Sequence, residues 1–308
     1  MMRISRVAFL GYGEVAKTFV SSWGAKAPQI ISAFDIKTND ISTRQEKLLE
    51  YIEQGVQGTF RAEEAIHSAQ VVFSLVTADQ AEAALKDVRS ALEPKQVVLD
   101  FNSCSPQTKK KLADIVTAQG ADYVDVAIMA PVLSTQPNIP VLLSGERALD
   151  ASELLTSLGF KTEVISNQVG DASSIKMLRS VMVKGLEALT TECLLAARKS
   201  GVEEHVLKSL NKTYPGLALH DLSRYHMERM LNHGERRNAE LQEVAATLNE
   251  LNINHSMVNG AMTWHQSLGA LPINTDEQAL AELSDQIIKL LPTDYKSSTE
   301  TNNEQLKL

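Results

Sequence analysis

The chain has 308 residues, 44% of them hydrophobic, enough to bury one large core or two, and a formal net charge of −8. That charge disfavours nucleic acid and anionic membrane surfaces as main partners, and no uncharged apolar run reaches the about 20 residues of a membrane span. Two cysteines, Cys104 and Cys193, lack metal-ligand spacing and suit a reducing compartment, so a cytoplasmic protein without disulfides or a metal site is expected.

The chain opens on "MMRISRVAFLGYG", whose apolar run is too short for a signal peptide and ends in a glycine loop. From there β-branched runs alternate with helical patterns: "RVAFLG" then "EVAKTFVSSW", "IISAFD" then "ISTRQEKLLEYIEQ", "QVVFSLV" then "DQAEAALKDVRSAL", "QVVLDF" then "SPQTKKKLADIVTAQG". Three further strands are expected at "ADYVDVA", "PVLLSG" and "KTEVIS". Strands apolar on both faces and separated by helices predict a mainly parallel, doubly wound α/β sheet over residues 1–167. Beyond that point only helical patterns remain, including "GLALHDLSRYHMERMLNHG" and "ERRNAELQEVAATLNELNI" as separate stretches. Residues 168–292 are therefore expected to form an all-helical domain, and the polar, aperiodic 293–308 a disordered tail.

The first strand runs into "GYGEVA", Gly11 to Ala16, at the start of a helix. In G-x-G-x-x-A spacing the first glycine turns the chain sharply. The second leaves room for a pyrophosphate at the helix N-terminus, and the alanine allows close helix–strand packing. Gly11, Tyr12, Gly13, Glu14 and Val15 are thus expected to line a dinucleotide. Asp35, 19 positions after Ala16, ends the second strand where it would accept from the ribose hydroxyls of NAD and repel the 2′-phosphate of NADP. Lys37 would soften that repulsion, so NAD is favoured and NADP remains possible.

The long helix opening the second half, "SSIKMLRSVMVKGLEALTTECLLAA", puts Lys176, Ser180, Lys184 and Glu187 on one strip, with Leu178, Val181, Met182, Gly185 and Leu189 opposite. An amphipathic helix with a solvated polar face accounts for that pattern. A lysine in the second turn after the domain boundary would also face a cleft where a nicotinamide emerges. There it can take the proton released when a secondary alcohol is oxidised by hydride transfer. Farther along, "NHGERRNAEL" places Arg236 and Arg237 where paired N–H donors would hold a carboxylate or phosphate, or else form an exposed basic patch. His220, His226 and His233 show no metal pattern and read as helix-surface or interface residues, Cys104 as a small buried side chain, and His265 as packing.

In order along the chain, "VAFLGYGEVAKTF", "FSLVTADQ", "LDFNSCSPQTKK", "YVDVAIMAPV" and "GDASSIKMLRS" resemble the motifs of the β-hydroxyacid dehydrogenase family, which includes 3-hydroxyisobutyrate and 6-phosphogluconate dehydrogenases. The resemblance implies a Rossmann-type cofactor domain, with Val76, Thr77 and Ser103 along the cofactor and Ser103 near the nicotinamide and the substrate. It also implies Lys176 as general acid/base and a homodimer built through the helical domain. The family's asparagine four residues after the lysine is Ser180 here, and its substrate-binding Ser-Gly-Gly reads Met129-Ala130-Pro131. These departures resemble a divergent branch with a phosphogluconate-dehydrogenase-like C-terminal domain. Imine reductases, which resemble this architecture, usually replace the lysine.

The expected function is an NAD(P)-dependent dehydrogenase moving hydride between nicotinamide and a small anionic hydroxy acid, or its keto or semialdehyde form. The alternatives are a non-catalytic NAD-binding sensor or scaffold of the same fold, and a reductase of imines or other non-acid carbonyls.

Overall fold

The computed structural model describes residues 4–276 and 278–292. The tail expected over 293–308 lies outside them. Among the described residues, eight strands form one sheet: β1 (Arg6–Leu10), β2 (Ile30–Phe34), β3 (Gln57–Gly58), β4 (Val71–Ser74), β5 (Val97–Asp100), β6 (Asp122–Ile128), β7 (Pro140–Ser144) and β8 (Lys161–Ser166). Their spatial order is β3-β2-β1-β4-β5-β6-β7-β8, parallel except for the β6–β7 pair. The two-residue β3 was not legible as a strand, since both its residues are exposed and one is glycine. The helices between strands are α1 (Glu14–Trp23), α2 (Arg44–Glu53), α3 (Ala62–Ile66), α4 (Ala81–Val88), α5 (Pro106–Thr117), α6 (Val132–Thr135) and α7 (Ala148–Ser157).

Both faces of the sheet are buried, as the continuous apolar strands require. On β1 the alternation sends Phe9 to one face, where it stacks on Phe73 and Trp23, and Ala8 and Leu10 to the other, with Val72, Leu85 and Val98. Strand order reverses at β1, with β2 on one side and β4 on the other. In open α/β sheets that switch point, at the carboxyl ends of the strands, is where ligands bind.

After β8 the regular elements among the described residues are helices: α8 (Asp171–Lys199), α9 (Glu203–Thr213), α10 (Leu219–Glu250), α11 (Ser256–Gly269) and α12 (Leu280–Leu290). The end of the strands marks the change in periodicity, but compactness divides the chain elsewhere. One unit runs to Met182 and includes Ala239–Ser256, and the other comprises Val183–Asn238 and the described residues from Met257 onward.

Two local expectations are overturned. "NHG" does not end a helix; α10 continues through Gly234. A Cβ there would lie 2.2 Å from the His265 carbonyl oxygen and 2.6 Å from the Gly269 Cα, so the glycine permits close approach of α11. The faces of α8 are also reversed. Ser180, Lys184 and Glu187 are buried, whereas Leu178, Met182 and Leu189 are exposed. The polar strip has partners inside the protein, so it is not the solvated face.

Candidate functional site: the glycine loop and the Ser103–Lys176 pair

β1 ends in Gly11, whose φ of +84° is open to glycine and strained for other residues. A Cβ at Gly11 would fall 2.4 Å from the Leu75 carbonyl oxygen, so the loop is pressed against the end of β4. Gly13 is the opposite case: it is exposed, and a Cβ would meet nothing within 4 Å. It is also the N-cap of α1 and offers no side-chain cap, which leaves first-turn N–H groups for an anion. Glu14 is exposed and Val15 half-buried beside it. These features fit a dinucleotide phosphate.

Tyr12 contributes only main chain to this loop. Its side chain is fully buried against Phe9 and Tyr51, its hydroxyl donates to Gln54 Oε1 at 2.7 Å, and burial raises its pKa above the usual tyrosine range. Its peptide is clamped from both sides. The N–H donates to Asp35 Oδ2 at 2.8 Å, and the carbonyl accepts from the buried Lys47 Nζ at 2.9 Å. Lys47 also pairs with Glu50, which Lys17 holds at 2.6 Å. Asp35 Oδ1 accepts from the Lys37 N–H at 3.0 Å, and the exposed Lys37 follows it directly.

The loops after β4 and β5 are tied together by Asn102, whose Oδ1 accepts from the Val76 N–H at 2.7 Å and whose Nδ2 donates to Ser74 Oγ at 2.9 Å. Asn102 is held in turn by Asp100 Oδ1, which accepts its N–H at 2.8 Å. Val76 is half-buried and Thr77 exposed. The next residue, Ser103, accepts a hydrogen bond from Lys176 Nζ at 2.7 Å. The structure therefore brings together two residues 73 positions apart, one beside the glycine loop's neighbouring strands and one in the second turn of α8.

A buried charge network, absent from the residues expected on sequence grounds, holds the start of α8, the helix that carries Lys176. Lys109 is wholly buried, 3.1 Å from Asp100 Oδ1 and 3.4 Å from Asp125 Oδ1, and donates to the Asp100 carbonyl at 2.7 Å. Burial works against its charge, but the two carboxylates outweigh it and hold the pKa above the ordinary lysine value. Asp125 accepts the Ser173 N–H at 3.0 Å and the Ser173 hydroxyl at 2.7 Å, and Ser144 Oγ accepts the Ala172 N–H at 3.0 Å. Orphan donors of the first turn of α8 are thereby satisfied by strand residues, with a carboxylate at the positive end of the helix dipole. Tyr123 donates to Asp100, and burial, then that carboxylate, raises its pKa far above the usual range. The available signal was a carboxylate in each of the otherwise apolar strands "VVLD" and "DYVDVAI".

Of the residues expected at the substrate, Met129 packs against Ala127, Leu142 and Ala172, beside the start of α8, and Ala130 follows it half-buried. Ser180 is buried one turn after Lys176. Arg236 is exposed and lies in the other compact unit. Arg237, in that same unit, corrects its expectation: it is buried and its Nε and Nη2 both engage Glu187, the Nε–Oε2 bond at 3.0 Å. Its fork is therefore spent on an internal carboxylate, whose pKa is pushed up by burial against the pull of Arg237. His265 is fully buried, 3.5 Å from the same Glu187. His226, also buried rather than on the helix surface, shares a 2.7 Å hydrogen bond with Thr190 Oγ1. Cys104 is fully buried, and burial pushes its thiol up to about 12.

A Rossmann sheet with an open glycine loop at its switch point defines an NAD(P)-binding protein. Comparison with known families agrees. Residues 6–137 match the NAD binding domain of 6-phosphogluconate dehydrogenase, and residues 197–268 match a domain of unknown function, DUF1932. A solved structure of a conserved protein of unknown function, MTH1747, described as structurally similar to 3-hydroxyacid dehydrogenases, is 30% identical, with a TM-score of 0.67 over 85% of this chain and 96% of that one. Among characterised proteins, 3-hydroxyisobutyrate dehydrogenase of Pseudomonas aeruginosa is 24% identical across 68% of this chain and 70% of its own length. An NADPH-dependent reductive aminase of Aspergillus oryzae is 28% identical across 54% and 57%. The chain belongs to the 6-phosphogluconate dehydrogenase-like family of NAD(P)-binding, 3-hydroxyacid dehydrogenase-like proteins, in the branch carrying the DUF1932 region.

Proposed function

We propose that the protein is an NAD(P)-dependent dehydrogenase that interconverts a small hydroxy acid and its keto or semialdehyde form, with Lys176 as general acid/base. The observation that carries this reading is the 2.7 Å contact between Lys176 Nζ and Ser103 Oγ, at the loop following β5. The nicotinamide supplies the hydride acceptor or donor. The protein's own task is to bind and orient the reactants and to move one proton. Lys176 as the neutral amine takes it from the alcohol, and as the ammonium returns it to the developing alkoxide. Ser103 holds the amine in place between these two roles. Gly11 to Val15 would receive the pyrophosphate, with Val76 and Thr77 alongside the cofactor. Met129, Ala130 and Ser180 would border the substrate. Asp35, already oriented by two main-chain N–H groups, would select NAD over NADP through its charge.

A second reading, reduction of an imine or non-acid carbonyl, is favoured by Met129-Ala130 standing where the family places a serine and a glycine, and by likeness to a reductive aminase. Lys176 itself favours the hydroxy acid. The apolar, exposed face of α8 supports a homodimer, and the thiols of Cys104 and Cys193 suit the cytoplasm.

The first experiment is a titration with NADH and NADPH followed by nicotinamide fluorescence. Tighter NADH supports Asp35 as selector, tighter NADPH removes that role, and binding of neither would sink the dehydrogenase. On a substrate found by screening hydroxy acids, Lys176→Ala is expected to keep cofactor affinity and lose about 100-fold or more in kcat. Near-normal turnover in that variant would refute the proton role.

A further inference from the structure

The end of α10 is part of the same compact unit as the glycine loop and the Ser103–Lys176 pair, although it lies inside the region matched by the domain of unknown function. From this segment Glu243 presents Oε2 to the main-chain N–H of Ser105, which donates at 2.6 Å across 138 positions of sequence. Ser105 is buried, and its hydroxyl accepts from the Thr108 N–H at 3.2 Å as the N-cap of α5. Ser103 is therefore bracketed. On one side Asn102 is fixed by Asp100, Ser74 and Val76, and on the other Ser105 is fixed by Glu243. The first set of ties comes from the sheet itself. The second is a single charge-assisted hydrogen bond from α10, the stronger kind, and its loss would leave a buried N–H unsatisfied.

The geometry points to Glu243 as a positioning residue that holds the Ser103 loop against Lys176, which gives this stretch of the DUF1932 region a role at the proposed proton-transfer site. The inference rests on the reading of Lys176 as the acid/base for its functional meaning, but the loop contact itself is measurable without a substrate. A hydrogen bond at 2.7 Å tolerates little displacement: a shift of the loop by about 1 Å takes Ser103 Oγ beyond bonding distance of Lys176.

The test is pulse acetylation of lysines with acetic anhydride, read at the Lys176 peptide by mass spectrometry, in the full-length wild type, Glu243→Gln, Glu243→Asp and Glu243→Ala. Glutamine keeps an oxygen that accepts from Ser105, aspartate withdraws it by one methylene, and alanine removes it. Labelling of Lys176 is expected to rise about tenfold in Glu243→Ala, the change that losing one hydrogen bond allows, and to stay within about twofold of wild type in Glu243→Gln. The fully buried Lys109 reports integrity of the unit and should stay protected throughout. If Glu243→Ala exposes Lys109, Glu243→Asp carries the test and must label Lys176 faster than Glu243→Gln does. Wild-type labelling in the folded Ala or Asp variant, or equal acceleration in Glu243→Gln, would overturn the inference. Should Lys176→Ala retain turnover, the acid/base reading falls while the labelling order still decides the role of Glu243 in the loop.

Discussion

At the scale of single residues, the two glycines of the loop separate folding from binding. Gly11 combines a positive φ with a Cβ position 2.4 Å from a main-chain oxygen, and neither the backbone nor Leu75 can give way cheaply. Gly11→Ala is expected to cost about 2 kcal/mol or more in urea unfolding, through strain and overlap. Gly13 has a negative φ and empty space around it, so Gly13→Ala should leave stability within about 0.5 kcal/mol and weaken NADH binding at least tenfold. Undiminished NADH affinity in Gly13→Ala would mean that no phosphate approaches that face. The cysteines differ in the same spirit. Cys104 is sealed, with a thiol pKa of about 12, while Cys193 is exposed. A thiol reagent at pH 8 should therefore modify one cysteine in the native protein and both after denaturation, because the thiolate is the reactive form. Native labelling at Cys104 would show that the Ser103 loop opens.

At the scale of elements, α8 and α10 face each other through a pair of groups that links stability to pH. His226 on α10 hydrogen-bonds Thr190 on α8, and burial, with Arg237 adding to it, lowers its pKa to about 4. Between that value and the ordinary one near 6.5, the unfolded chain binds a proton that the folded chain does not. The contribution of His226 is thus complete above about pH 6.5 and is lost progressively as the pH falls toward 4, with a slope of at most about 1.4 kcal/mol per pH unit. Urea midpoints should fall from pH 7 to pH 5 in wild type and fall less in His226→Gln, and parallel curves would exclude His226 as the source. Elements also differ in how well the sequence announces them. Strands buried on both faces read directly as apolar runs, and the glycine loop, Asp35 and Lys176 stand in local spacings that carry their own geometry, whereas Ser103 is expected only through the family resemblance. Lys109 is one of three consecutive lysines, and nothing local marks it as the one that is buried between Asp100 and Asp125. Glu243 and Asp125 act on residues 138 and 48 positions away, a distance over which periodicity carries no information. The same limit reversed the faces of α8: spacing groups Ser180, Lys184 and Glu187 on one strip, but whether that strip is wet depends on what packs against it.

At the scale of the whole molecule, the exposed face of α8 is what calls for a partner. Ile175, Leu178, Met182, Leu186 and Leu189 recur at intervals of three and four residues, and Met182 is 63% exposed. Five large apolar side chains in one stripe, about 20 Å long at 1.5 Å per residue, make a contiguous patch of the kind that marks an interface rather than a solvated surface. A net charge of −8 per chain opposes self-association only weakly at physiological salt, because screening acts within about 8 Å. A helix stripe packing on its own copy about a two-fold axis is self-complementary, and Met182, midway along it, would approach its own counterpart near that axis. Met182→Glu would then bury two like charges against each other in a water-poor contact. Light scattering should give wild type twice the 33.8 kDa of one chain and the variant a single chain, with circular dichroism and NADH binding unchanged. A wild-type mass of one chain would leave the stripe unexplained by self-association. A dimeric Met182→Glu would place the interface on another surface, and a variant that dissociates while keeping the glycine loop functional would separate assembly from cofactor binding.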